Sequence, residues 1–183
     1  MLINEKLSLP ENWEAVLDMT MLERPVGAKQ SRIYICSPCR AGTAHGVIRN
    51  MKAARVYMFY TYAYFHGIPK ALHAYLPVLL NDNFEDEREI ALQFGSRMLK
   101  DCDLLFVCGN RISDGMYSEI EEAILLGLDI EVFNKAVFDA LVERYKGNGL
   151  DLSRVWHEDD NLHHALAMGS DELAAYWGGD EYA

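Results

Sequence analysis

Glu119 is the carboxylate in this chain whose setting invites chemistry. It lies in Asp103 to Gly127, DLLFVCGNRISDGMYSEIEEAILLG. There an apolar run, Leu104 to Val107, stops at Gly109, a polar loop follows, and a helical pattern begins near Ser113 or Asp114. On a 3.6-residue wheel Met116, Ile120, Ala123, Ile124 and Gly127 share one apolar stripe. Glu121 and Glu122 point away from that stripe and read as solvated charges, while Glu119 falls on its border, near the helix N-terminus. A carboxylate so placed can attack a sugar anomeric carbon and form a glycosyl-enzyme intermediate. Taken alone, the pattern fits a partly buried structural glutamate first and a nucleophile second.

Other reactive residues carry weaker signals. Cys36 and Cys39 make CSPC between a strand and a helix, the setting of a thioredoxin-like redox pair. Cys36, however, belongs to the strand pattern and helix signals begin only near Thr43, so Cys39 is not at a helix N-terminus and both read as reduced structural thiols. Cys102 and Cys108 are too widely spaced to complete a zinc knuckle with them. His157, His163 and His164 lack the i, i+4 spacing of a chelating pair and read as exposed tail residues, so no metal is expected. No GxGxxG follows the first strand and no GxxxxGK[ST] occurs, so the usual dinucleotide and P-loop readings fail. Arg40 with the backbone amides of residues 41–43, and Ser113 with the helix start after it, offer another phosphate cradle if the two loops meet.

The elements that must bring those loops together follow from the pattern. Arg32 to Ser37 reads as a first strand, and SPCRAGTAHG as a loop. A helix then runs from Thr43 or Ala44 to His66, with Thr43 as N-cap and Gly67 as its stop. The second half of that helix, YMFYTYAYFHG, is aromatic on nearly every face and is expected to be covered on both sides, by core or by a second subunit. Ile68 to Ala74 reads as a strand, Glu85 to Lys100 as a helix, Leu128 to Asn134 as a strand and Ala136 to Tyr145 as a helix. Further helix-like pieces are a short N-terminal one around Trp13 to Leu22 and another from His163 to Trp177. This alternation predicts an α/β fold: a Rossmann-like or flavodoxin-like parallel sheet of four to five strands flanked by helices, in three layers. Ligands in such sheets sit at the strand carboxyl ends, so the loops that matter follow the first and third strands. The organisation expected is a single domain, 1–183, with an N-terminal arm (1–30), an α/β core (31–149) and a C-terminal extension (150–183).

Composition limits the partners. The chain has 183 residues, half of them apolar, and a formal net charge of -11. That surface disfavours a nucleic-acid polymer or an anionic membrane as partner, but a local basic pocket can still take a small phosphate. No apolar run reaches a membrane span and MLINEKLSLPENWE lacks a signal-peptide core, so a cytoplasmic protein is expected.

IYICSPCRAG and SDGMYSEI together resemble the two site motifs of the nucleoside 2-deoxyribosyltransferase-like superfamily, which includes the nucleotide N-glycosidases that cleave deoxynucleoside monophosphates. The resemblance covers about Arg32 to Phe133. Its middle, HAYLPVLLND, EDEREIALQFG and MLKDCDLLFVCG, is most similar to members of that superfamily without an assigned activity. It implies that Glu119, in the helix start after Gly115, is the nucleophile at C1′, and that Arg40 and Ser113 hold a 5′-phosphate. Tyr34, Ser37 and Gly42 then fall in the first loop, facing sugar and phosphate. Three positions depart from the family pattern: Met116 stands where a small residue or Thr is common, Ser118 replaces an aromatic neighbour of the nucleophile, and Asp114 sits one place late. By position alone Asp103, Asp114 or His73 is the proton donor to the leaving base. The function expected is a nucleoside or nucleotide N-glycosidase or 2-deoxyribosyltransferase, without cofactor, acting on a small nucleoside or nucleotide and assembling as a homo-oligomer. The rival is a non-catalytic nucleotide-binding or sensing module on the same fold.

Overall fold

The computed structural model describes residues 30–81, 84–158 and 163–176. The N-terminal pattern around Trp13 and the GGDEYA terminus lie outside them. Five strands, β1 (Arg32–Cys36), β2 (Ile68–Lys70), β3 (Leu104–Val107), β4 (Asp129–Val132) and β5 (Val155–Trp156), form one sheet in the order β2-β1-β3-β4-β5, with every pairing parallel. The helices are α1 (Ala44–Phe65), α2 (Glu85–Lys100), α3 (Asp114–Leu125), α4 (Lys135–Tyr145), α5 (His164–Ala167) and α6 (Ser170–Tyr176). This is the expected three-layer α/β/α architecture. Chain order reverses between β1 and β3, which opens a crevice at their carboxyl ends.

Alternation along the strands assigns the two faces. Ile33 and Ile35 of β1 and Phe106 of β3 pack with Ala53, Ala54, Val56 and Tyr57 of α1 and with Leu166 and Leu173 from the C-terminal helices. Tyr34, Cys36, Leu105, Val107, Ile130 and Val132 pack on the other face with Leu99, Met116, Ile120, Ala123, Val137 and Leu141. The described residues beyond 149 are built into this fold: β5 extends the sheet, Tyr57 donates a hydrogen bond to the Met168 carbonyl at 2.6 Å, and the Gly109 amide donates to that of Leu166 at 2.8 Å.

The boundaries expected for α2 and β3 are those observed, and α1 starts behind the expected Thr43 cap, whose hydroxyl accepts from the Gly46 amide at 3.0 Å. Elsewhere there are differences. His66 takes the left-handed position that ends α1 (φ 53°), one residue before the expected Gly67 stop. The second strand is only three residues long, because the chain turns through two 3₁₀ segments, Leu72–Ala74 and Leu76–Val78. The helix expected over 163–177 is two short helices broken at Met168, whose backbone is extended. Nor is α1 covered all round within one chain, since Tyr62 and Tyr64 are exposed. Among the described residues no helix is long and apolar enough to cross a membrane.

Candidate active site

β1 and β3 end side by side, with Cys36 opposite Val107, so the loops after them share the crevice. A cavity of about 1360 Å³ opens there. Ser37, Arg40, Gly42, His73, Ser113, Asp114, Gly115 and Glu119 all line it. The two loops singled out in the sequence therefore meet, and the turn after β2 brings His73 to the same wall. Tyr34 does not line the cavity; it is fully buried beneath it. Asp103 is at the opposite end of the sheet, where its carboxylate accepts from the Arg32 amide at 2.8 Å, so it is removed from any role at the cavity.

Glu119 is fixed from below. Tyr34 Oη donates to its Oε1 at 2.7 Å. Burial raises the Glu119 carboxyl to about 7, against hydrogen bonds from Tyr34 and the Cys36 thiol that favour the anion, while the Glu122 charge adds to the rise. Glu119 belongs to the second turn of α3, beyond the first turn in which the helix dipole acts strongly. It is the sheet below, not the helix end, that tunes it. Gly95 of α2 lets that helix come close: a Cβ there would lie 3.3 Å from Tyr34 Oη and 3.8 Å from Glu119 Oε1.

The start of α3 is capped by Ser113, whose hydroxyl accepts from the Met116 amide at 3.4 Å while the Met116 sulfur accepts from the Ser113 amide at 3.4 Å. Met116 thus has a local role as a capping residue. Glu121 and Glu122 are not the solvated charges expected. Tyr145 donates to Glu121 at 2.9 Å, and Glu122 accepts from Ser96 at 2.6 Å and pairs with Lys100 at 3.4 Å. On the opposite wall Ser37 Oγ and His73 Nε2 are 2.6 Å apart, both buried. Burial lowers the His73 imidazole to about 4 and keeps it neutral near pH 7.

The lining also holds residues that sequence reasoning missed. Arg88, Arg97, Lys100 and Arg111 join Arg40, giving five basic groups against five acidic ones, Glu87, Glu89, Asp114, Glu119 and Glu122. An anion therefore meets no net repulsion from the lining, although the whole chain carries -11. Helix α2 carried no motif to flag its contribution. An added Cβ at Gly42 or Gly115 would meet nothing within 4 Å, so both leave open space at the wall.

None of the four cysteines is in a disulfide, and burial pushes the Cys36 thiol well up, which leaves CSPC without a reactive thiolate at that position. No group of three or more potential ligands able to hold a metal occurs among the described residues. His157 and His163 are half-buried, against the exposed setting expected for them.

A family described as "Domain of unknown function (DUF7768)" matches residues 31–133, more than half of the chain. The chain belongs to this family. A search of curated proteins gives no match. The DUF7768 span runs from the start of β1 to just past β4 and contains every residue that lines the cavity. It excludes α4, β5 and the C-terminal helices, so what this family shares is the half of the fold that builds the crevice.

Proposed function

We propose that this protein breaks the N-glycosidic bond of a nucleoside or, by preference, a 5′-nucleotide, with Glu119 as nucleophile. The observation that carries this reading is the Tyr34–Glu119 pair under a cavity of about 1360 Å³, roomy enough for a nucleotide, at the β1/β3 crevice. Glu119 attacks C1′, and the electron pair of the C1′–N bond leaves with the base. Asp114, exposed at the first position of α3 and lining the cavity, is the carboxylate placed to pass a proton from solvent to that base. Ser113 accepts the capping bond and keeps its own O–H for a phosphate oxygen, and Arg40 supplies charge from the facing loop. Either water or a second base then releases the sugar. Self-association belongs to the same reading, supported by the apolar side chains of Tyr75, Leu79, Phe84, Leu92 and Phe94 exposed along the 3₁₀ segment and α2.

The test is release of free base from a panel of nucleosides, deoxynucleosides and their 5′-monophosphates. Glu119→Gln should reduce release by about a thousandfold or more while retaining ligand binding. Full activity in that variant would end the proposed mechanism. Saturable nucleotide binding with no release from any member of the panel would favour a sensing module instead.

A further inference from the structure

The proposed chemistry leaves one pair unused. Ser37, just past the end of β1, and His73, in the turn after β2, are joined by a 2.6 Å contact between Oγ and Nε2, and both line the cavity that Glu119 faces. Ser37 is 3% and His73 7% exposed. Burial keeps the imidazole neutral, and its Nε2 lies against the Ser37 oxygen, where its lone pair can accept a proton. The contact also joins two side chains from adjacent strand ends instead of satisfying the backbone.

We infer that Ser37 and His73 form a proton-accepting relay for the water that hydrolyses the glycosyl-Glu119 intermediate, so that this pair decides between hydrolysis and base exchange. The inference rests on the N-glycosidase reading. In the step, water oxygen bonds to C1′ and the C1′–O bond to Glu119 breaks, its electron pair returning to the carboxylate. One water proton passes to Ser37 Oγ as the Ser37 hydroxyl proton passes to His73 Nε2, and the imidazolium then loses a proton to solvent. Ser37 touches the water; His73 is a positioning and accepting residue that acts through it. The first half-reaction and its reversal with a free base do not pass through the pair.

The experiment uses whichever of dAMP, dGMP, dCMP and dTMP the full-length protein turns over, with the labelled free base as acceptor. Ser37→Ala and His73→Gln should each lower steady-state hydrolysis by about a hundredfold or more, within the range of a lost general base. Each should still release an initial burst of one base per site, and exchange of labelled base should fall far less than hydrolysis, so that the ratio of exchange to hydrolysis rises about tenfold or more. A role in folding alone would lower hydrolysis and exchange together. Parallel loss, or no loss of either, overturns the inference, and Ser37→Ala, the smaller change, keeps the test open if His73→Gln does not fold. If wild type turns over the panel, Glu119→Gln is dead and both relay variants hydrolyse normally, the relay fails alone. If wild type releases no base, both readings fail together.

Discussion

Two of the cavities near the carboxyl ends of the strands use their polar residues in opposite ways. The one at the β1/β3 crevice is about 1360 Å³; the other, beside the ends of β4 and β5, is about 230 Å³ and is bordered by His157, His163, His164, Glu131 and Glu158. By residue type the small one looks as promising. Several of its groups, however, are bonded to the backbone or packed on rings of the fold. His157 Nδ1 lies 2.7 Å from the Val132 carbonyl and its ring stacks on Phe138. The His163 ring packs against Tyr64, Phe65 and Phe133. Asn134 caps α4 through its Oδ1 and donates to the Ala167 carbonyl at 3.1 Å. At the large cavity two bonds join side chains of different elements, Tyr34, buried beneath it, to Glu119 and Ser37 to His73. A titratable residue bonded to backbone is holding structure, whereas one bonded to another side chain and facing space has its proton available for exchange.

Glu119 gives the comparison its sharpest test, because a group held for chemistry should cost stability. Its folded value, about 7, lies above the ordinary 4.5, so the neutral form is favoured by folding. The contribution is complete below about pH 4.5 and is lost as pH rises through 7. Each tenfold difference in proton affinity is worth about 1.4 kcal/mol, so the loss approaches 3 kcal/mol in order of magnitude. Glu119→Gln should match wild type in unfolding free energy at pH 4 and exceed it by up to that amount at pH 8, measured by urea titration at both. A variant less stable than wild type at pH 8 would mean that the carboxylate serves the fold.

Tyr34→Phe follows, with a smaller effect. It removes the strongest bond that favours the Glu119 anion, so the carboxyl should rise further and base release at pH 7 should fall about tenfold, in line with a charge-assisted hydrogen bond. The acid limb of the pH–rate profile should move to higher pH, with part of the loss recovered in alkaline buffer. An unmoved limb would detach Tyr34 from the nucleophile.

How legible each region was follows from how far apart its partners lie in the chain. Helix α2 and strand β3 were readable to the residue because their periodicity is local. Strand order also put the Arg40 and Ser113 loops together before any coordinates. The two-residue β5 is too short to show a period, and the 3₁₀ turns after β2 read as more strand because Ala71 to Ala74 are apolar apart from His73. Pairings such as Glu121 with Tyr145, 24 residues on, or Ser37 with His73, 36 residues on, depend on which elements end up adjacent and leave no trace in local spacing. His157 was misread for the same reason: its partner Val132 is 25 residues away, on the neighbouring strand.

The smallest expected effect on activity is at His157, and it closes the comparison from the other side. His157→Leu strips the Val132 carbonyl of its side-chain donor and the Phe138 ring of its stacking partner, where β4 gives way to the loop before α4. Leaving such a group unpaired costs about 1–3 kcal/mol, so the unfolding midpoint should fall measurably. Base release, assayed well below the melting temperature, should stay within about twofold of wild type, since His157 borders the small cavity and does not line the one that Glu119 faces. Loss of activity without loss of stability would reverse the assignment, making the histidine-lined pocket the working site and the Glu119 crevice the scaffold.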